Sequence, residues 1–272
     1  MVLPAYVGAL SSAPVRQTAL ITGASSGIGL DLAKLMAPDF DLIITARNQK
    51  ELEKIARQLE AAHGNHVHVI PADLTAPDAP RQILSEIERR GLAVSILVNN
   101  AGFGSYGAFA ESDTPNTLDM IQVNMTALTS LTRLMLPDML QRKAGKILNV
   151  ASTAGFQPGP LMAVYCATKA YVIMFSEAIA NELNGSGVTV TCVCPGATAT
   201  NFAARAHMEE SRLFRMGAMK SQAVAKAAYK GMMAGKTLVI PGLLNKAIAM
   251  SVRFSPRKMV TAISRSLQEK AK

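Results

Sequence analysis

Thr18-Ala-Leu-Ile-Thr-Gly-Ala-Ser-Ser-Gly-Ile-Gly29 is the stretch that decides the fold. Its first five residues, Thr18–Thr22, form a short apolar run that reads as a strand, and the glycine-rich turn after it opens a helix over Gly27–Ala37. The spacing is G-x-x-x-G-x-G instead of G-x-G-x-x-G, but the same physics applies. Gly23 permits a sharp turn, Gly27 lets the backbone approach a pyrophosphate, and Gly29 lets helix and strand pack closely. The N–H groups around Ser25, Ser26 and Ile28 then face the phosphates at the helix N-terminus. Taken alone, the motif also fits a βα turn that binds nothing.

Working outward, short apolar runs alternate with helical periodicity. Strands are expected at Phe40–Thr45, His66–Ile70, Ser95–Val98, Lys146–Val150, Val188–Val193 and Leu238–Ile240. Helices are expected at Gln49–Ala62, Pro77–Arg90, Leu118–Arg142, Met162–Leu183 and Ser221–Ala234. The strands are continuously apolar, as in a sheet covered on both faces. The expectation is one α/β domain, a Rossmann-type doubly wound parallel sheet of about seven strands over residues 16–242. Residues 1–15 form an N-terminal extension and 243–272 a helical tail.

Composition agrees. The 272 residues are 49% hydrophobic and 17% charged, which excludes disorder, and 19 Gly with 13 Pro exclude a coiled coil. Three cysteines, Cys166, Cys192 and Cys194, point to a reducing compartment and the cytoplasm. The net charge is +9, of which residues 236–272 carry +7, from eight bases and one acid. With Phe254 as its single aromatic, that stretch lacks a stacking platform for nucleic acid, the weakest of its conceivable partners.

The end of the second strand bears on cofactor choice. A site for NAD places an acid there to accept from the ribose 2′-OH. Here the chain reads Thr45-Ala46-Arg47-Asn48, and Arg47 can fork a 2′-phosphate, so NADP(H) is favoured over NAD(H). Asp73-Leu74 after the third strand and Asn99-Asn100-Ala101-Gly102 after the fourth can hydrogen-bond adenine and ribose, although Asx residues also favour turns.

Ser152 follows the fifth strand, and Tyr165 and Lys169 lie four apart on the next helix, sharing a face. A cation beside a phenol favours phenolate, making Tyr165 a usable proton donor or acceptor. Ser152 would fix the reacting oxygen, and Asn124, polar amid an apolar stretch, would hold a water relaying protons through Lys169.

In order and spacing, Thr22–Gly29, Asn99–Gly102, Asn124, Ser152, Tyr165-x-x-x-Lys169 and Pro195-Gly196 resemble the short-chain dehydrogenase/reductase family, over about residues 16–241. The resemblance implies a nicotinamide cofactor and an Asn–Ser–Tyr–Lys tetrad at Asn124, Ser152, Tyr165 and Lys169. It implies that the segment after Pro195-Gly196, with Thr198 and Thr200, holds the carboxamide. The expected activity is ketone or aldehyde interconversion with an alcohol by a homodimer or homotetramer. The competing class is a silent NADP(H)-binding scaffold, against which Ser152 argues. Phe103, Phe156, Met162 and Phe202 are expected to line an apolar substrate pocket.

Other residues carry plainer readings. His63, His66 and His68 cluster without Cys or paired acids, so no metal site is expected. Cys192 and Cys194 read as buried small hydrophobes, and Cys166 as pointing about 100° from Tyr165. His207, Met208, Met216 and Met219 fall in an expected lid, where the methionines line a pocket or simply pack. In the tail, Leu244, Ile248 and Val252, then Met259, Val260, Ile263 and Leu267, form two stripes opposite basic residues. Two uses stay open: a lipid boundary and a peripheral membrane location serving a lipid-like carbonyl, or packing on the protein's own core or a neighbouring subunit, the commoner fate of such faces.

Overall fold

A computed structural model describes residues 16–206, 208, 212 and 217–269. The extension 1–15, His207, Met216 and Lys272 lie outside these. The elements run β1 (Thr18–Thr22), α1 (Gly27–Met36), β2 (Asp41–Thr45), α2 (Gln49–His63), β3 (Val67–Val69), α3 (Ala79–Arg89) and β4 (Val94–Asn99). They continue with α4 (Thr114–Ile121), α5 (Leu128–Gln141), β5 (Gly145–Val150), α6 (Ala163–Glu182) and β6 (Val188–Val193). Next come β7 (Thr198–Ala199), α7 (Phe202–Arg205), β8 (Met219–Lys220), α8 (Ser221–Met233) and β9 (Leu238–Val239). The tail forms α9 (Leu243–Ser251) and α10 (Arg257–Gln268).

Seven strands make one sheet in the order β3-β2-β1-β4-β5-β6-β9, every pairing parallel. The strand order reverses between β1 and β4, the point where open α/β sheets form a crevice at their carboxyl ends. Alternation within each strand explains the two covered faces. Ala19, Ile21, Leu42, Ile44, Ile96 and Val98 pack with Leu32 of α1, Leu52 of α2 and Ala228 of α8. Leu20, Ile43, Leu97 and Ile147, one residue out of phase, pack with Ile83 of α3 and Leu131 and Met135 of α5.

One expectation changes. The helix expected at Leu118–Arg142 is split: α4 and α5 flank a π-helical segment, Gln122–Ala127, whose wider turn surrounds Asn124. Such bulges are frequent at functional sites. The tail is helical, and of the two placements left open for its stripes the protein's own core takes little. Helix α9 buries Ala249 and half-buries Asn245, with Val252 half-buried just after it, while Leu244 and Ile248 face outward. In α10 the inner face is Val260, Ser264 and Gln268, with Leu267 half-buried, and Met259 and Ile263 are exposed. Asn245 explains the first choice, since its amide donates to the Pro241 carbonyl at 2.9 Å. By length and composition α6 could cross a membrane, yet it packs on β6 and carries Tyr165 and Lys169.

Candidate active site

The turn after β1 is held in its crevice by backbone and amide bonds. Gly23 N–H donates to the Thr45 carbonyl at 2.8 Å, fixing the loop against the end of β2. Gly23 and Gly27 adopt φ of +66° and +56°, conformations that L side chains seldom accept. A Cβ on Gly29 would stand 2.4 Å from both the Gly23 carbonyl oxygen and Asn100 Nδ2. A Cβ on Gly27 would stand 3.0 Å from Thr200 Cγ2, so loop and Thr200 face each other across the groove. Ser26 precedes α1 without a side-chain cap and the first turn holds no acid, leaving the helix N-terminus to an anion. Arg47, two residues beyond Thr45, is exposed and, among the described residues, makes no ion pair or hydrogen bond. A cradle a side chain would fill and open N–H groups fit the pyrophosphate of a dinucleotide, with an unengaged guanidinium nearby.

Several of the residues expected at the cofactor also hold the loops together. Asn100 Nδ2 donates to the Thr22 and Gly23 carbonyls at 2.8 and 3.2 Å, while Thr22 Oγ1 accepts from the N–H groups of Asn100 and Ala101. The amide thus sews β4's end to the glycine turn. Asp73 Oδ1 accepts from Thr75 N and Oγ1 at 3.1 and 3.0 Å, an Asx turn just before Leu74. Thr198 lies on β7, paired with Met219 in a two-stranded parallel sheet that the sequence did not suggest. Thr198 Oγ1 donates to the Gly196 carbonyl at 2.9 Å, and Thr200 Oγ1 accepts from Phe202 N.

The residues after β5 and on α6 converge. Ser152 Oγ accepts from Ala154 N at 3.1 Å and donates to the Pro195 carbonyl at 3.4 Å. Burial raises the Tyr165 phenol above its ordinary value, with the Ser152 hydroxyl opposing. The spacing of Tyr165 and Lys169 predicts a lowered phenol; in the structure burial is the largest influence and the net direction is upward. Lys169 Nζ stands 5.8 Å from the Tyr165 ring centroid and donates to the Val150 carbonyl at 2.8 Å. Burial pushes this ammonium down to about 8. Asn124 Oδ1 accepts from Phe103 N at 3.1 Å, and its Nδ2 donates to the Phe103 carbonyl and Thr168 Oγ1, both at 3.0 Å. Both amide hydrogens are engaged within the protein, so this side chain splints the loop after β4. A Cβ on Gly102 would meet Asn124 Oδ1 at 2.9 Å and Lys169 Nζ at 3.4 Å.

Three of the four expected pocket residues gather at Tyr165. Met162 packs with Tyr165, Phe103 and Phe202 flank them, and the Tyr165 and Phe202 ring centroids are 5.2 Å apart. Phe156 does not join; it packs with Val172, Ile173 and Cys192 on the other side of α6. Met208 is buried in the Tyr165 cluster, and Met219 lies against Asn245 instead of a pocket. A cleft of about 290 Å³ opens beside Tyr165, walled by Tyr106, Phe109, Met120, Leu161 and Met162. Its lining includes Glu111 and Asp113 but, among the described residues, no lysine or arginine. Apart from its glycines, nothing in the sequence marks this loop.

Also missed was a buried polar ladder beneath the site. Asn99 Nδ2 donates to Thr132 Oγ1 and Asn149 Oδ1 at 3.0 Å each, and Asn149 Nδ2 donates to Ser176 Oγ at 2.9 Å. An Asn inside the apolar run Ile147-Leu-Asn-Val150 was the available clue. Cys166 packs in the Tyr165 cluster, its thiol pushed up to about 11 by burial, with Gln268 of α10 opposing that rise. The tail touches the cofactor side too: a Cβ on Gly196 would meet Asn245 Oδ1 at 2.6 Å.

The chain is similar to known proteins. The family model for short chain dehydrogenases matches residues 17–211. A ketoacyl reductase, HetN, from Nostoc sp. is 34% identical over 181 residues, 66% of this chain and 63% of its own length. A very-long-chain 3-oxoacyl-CoA reductase from Phaeosphaeria nodorum is 37% identical over 190 residues, 68% of this chain and 56% of its own. The chain therefore matches less than two thirds of the length of these curated relatives. Among solved structures, a short-chain dehydrogenase from Sphingobium yanoikuyae in complex with NADPH superposes with a TM-score of 0.79. It is 34% identical, and the match covers 88% of this chain and 93% of that one.

Proposed function

The chain belongs to the short-chain dehydrogenase family, and from that premise we propose that it interconverts a bulky hydrophobic ketone or aldehyde and the corresponding alcohol with NADP(H), preferred over NAD(H). The observation that carries this reading is Tyr165 at the wall of a cleft, with Lys169 beneath its ring, Ser152 just after β5, and an apolar cluster of Phe103, Met162 and Phe202 around it. Gly23, Ser25, Ser26, Gly27, Ile28 and Gly29 would hold the pyrophosphate and Arg47 the 2′-phosphate. The segment Pro195–Thr200 would seat the nicotinamide, which when bound supplies or takes up the hydride.

The protein's own residues do the rest. Ser152 orients the substrate oxygen, its own Oγ fixed by the Ala154 amide. Tyr165, kept neutral by burial, gives its proton to that oxygen as the carbonyl carbon is reduced. Lys169, buried beneath the ring, stabilises the phenolate left behind. The cleft's lack of cations favours a substrate without carboxylate or phosphate at that position. Assembly is proposed as two or four copies, which light scattering would size. The activity test follows NADPH absorbance with purified protein across uncharged aryl and alicyclic ketones. Turnover that Tyr165→Phe abolishes is expected. Tight NADPH binding with no turnover on any carbonyl would leave a cofactor-binding scaffold instead.

A further inference from the structure

We infer that the outward face of the C-terminal tail is a docking surface for an anionic phospholipid bilayer. Most of the large apolar residues of the tail are not spent on the core; of the two stripes only Val260 is buried, with Val252 and Leu267 half-buried. Leu243, Leu244 and Ile248 on α9, Phe254 in the bend, and Met259 and Ile263 on α10 are all exposed, Leu243 by 89% and Phe254 by 85%. The protein faces of these helices are the small and polar ones, Asn245 and Ala249, then Val260, Ser264 and Gln268. Helices that attach by their less apolar side leave their more apolar side for something else.

Charge identifies the occupant. Between Glu210 and Glu269 the sequence holds no acid and eleven bases. Lys246, Arg253, Arg257 and Lys258 are exposed among the apolar residues. Arg257, Lys258 and Arg265 line a shallow, open recess of about 480 Å³ with Pro160, so three cations converge there. A second copy would, in a two-fold pair, set these cations against their own counterparts. An anionic bilayer surface meets both demands at once, taking Leu and Phe into the acyl boundary and pairing Lys and Arg with headgroups.

The recess also adjoins the substrate cleft in sequence, because Pro160 lines one and Leu161 the other. A docked tail would therefore hold the cleft close to a lipophilic substrate. Docking itself does not depend on the catalytic reading, and its test measures binding alone.

The full chain contains no tryptophan, so Phe254→Trp installs a single indole reporter. It is mixed with phosphatidylcholine vesicles or with vesicles containing one third phosphatidylglycerol. A blue shift and co-sedimentation with the anionic vesicles only, weakened at least fivefold by 0.5 M salt, are expected. Leu244→Ser/Ile248→Ser and Arg257→Glu/Lys258→Glu should each lose binding while melting temperature stays within two degrees of the parent. Absence of binding to anionic vesicles would overturn the proposal. So would equal binding to neutral vesicles, or an oligomer that Leu244→Ser/Ile248→Ser dissolves.

Discussion

Asn124 and Phe103 exchange two hydrogen bonds, side-chain amide to backbone: Oδ1 accepts the Phe103 N–H at 3.1 Å and Nδ2 donates to its carbonyl at 3.0 Å. The pairing copies the reciprocal bonding of two strands, across a gap where no strand exists. It ties the π segment to the loop that walls the cleft, and Thr168 joins it to α6. Asn124→Ala removes all three bonds and leaves the Phe103 backbone unpaired near the site. Turnover is expected to fall at least tenfold, and the melting temperature by several degrees. Asn124→Asp keeps the oxygen but loses the donors, so it should recover little. A kcat unchanged in Asn124→Ala would remove Asn124 from the site.

Cofactor choice turns on Arg47. Replacing it with Asp removes the partner of a 2′-phosphate and adds repulsion, worth about 1.5–3 kcal/mol for a charge-assisted bond. NADPH affinity should fall about tenfold or more while NADH affinity changes little. Titration calorimetry with both nucleotides checks it; a parent protein that prefers NADH would refute the assignment.

Gly27→Ala places a methyl group 3.0 Å from Thr200 Cγ2 at a φ of +56°. The conformation costs about 1–2 kcal/mol by itself. Nucleotide affinity should drop more than stability does, since the methyl fills the groove and not the core. Paired melting curves with and without NADPH separate the two effects.

The pH profile carries the signature of Lys169. Its ammonium is held down near 8 by burial, so the cation is present below that pH and lost above it. In the reductive direction kcat/KM should therefore show an alkaline limb near pH 8. In kcat the limb should move upward, because a bound anionic nucleotide favours the charged lysine. Burial also means that the unfolded chain binds more protons than the native one between pH 8 and the ordinary lysine range. Folding stability from this group accordingly rises with pH across that window. Lys169→Met should flatten that rise in denaturant titrations.

Ser176→Ala tests the polar ladder. It strips the acceptor from Asn149 Nδ2 at a fully buried position, and an orphaned donor costs about 1–3 kcal/mol. Melting should fall by several degrees with KM for NADPH unchanged.

Much of this molecule could be read from the chain. Continuous apolar strands and the Thr18–Gly29 turn specified the sheet, because burial on both faces leaves no other pattern. Tyr165, Lys169 and Ser152 were legible from helix spacing and a strand end. Less visible was whatever depends on partners distant in sequence. Periodicity showed that Leu244 and Ile248 share a face, but not that Asn245 would take the inward position. Phe156 followed the right motif yet packs behind α6, since its direction is set by a short 3₁₀ turn at Thr153–Phe156. The direction of the Tyr165 shift depended on burial, which spacing does not report.

The π segment also sets the phase of one helical run twice. Ahead of it Met120 faces the Tyr165 cluster; behind it Leu131, Met135 and Met139 face the opposite core. A helix advances about 100° per residue, so losing one residue between Gln122 and Ala127 would swing everything beyond it by that angle. Conservative replacements there would leave both facings intact, whereas a single-codon deletion would misdirect half the run. Length, more than composition, is what inheritance must preserve at this point in the chain.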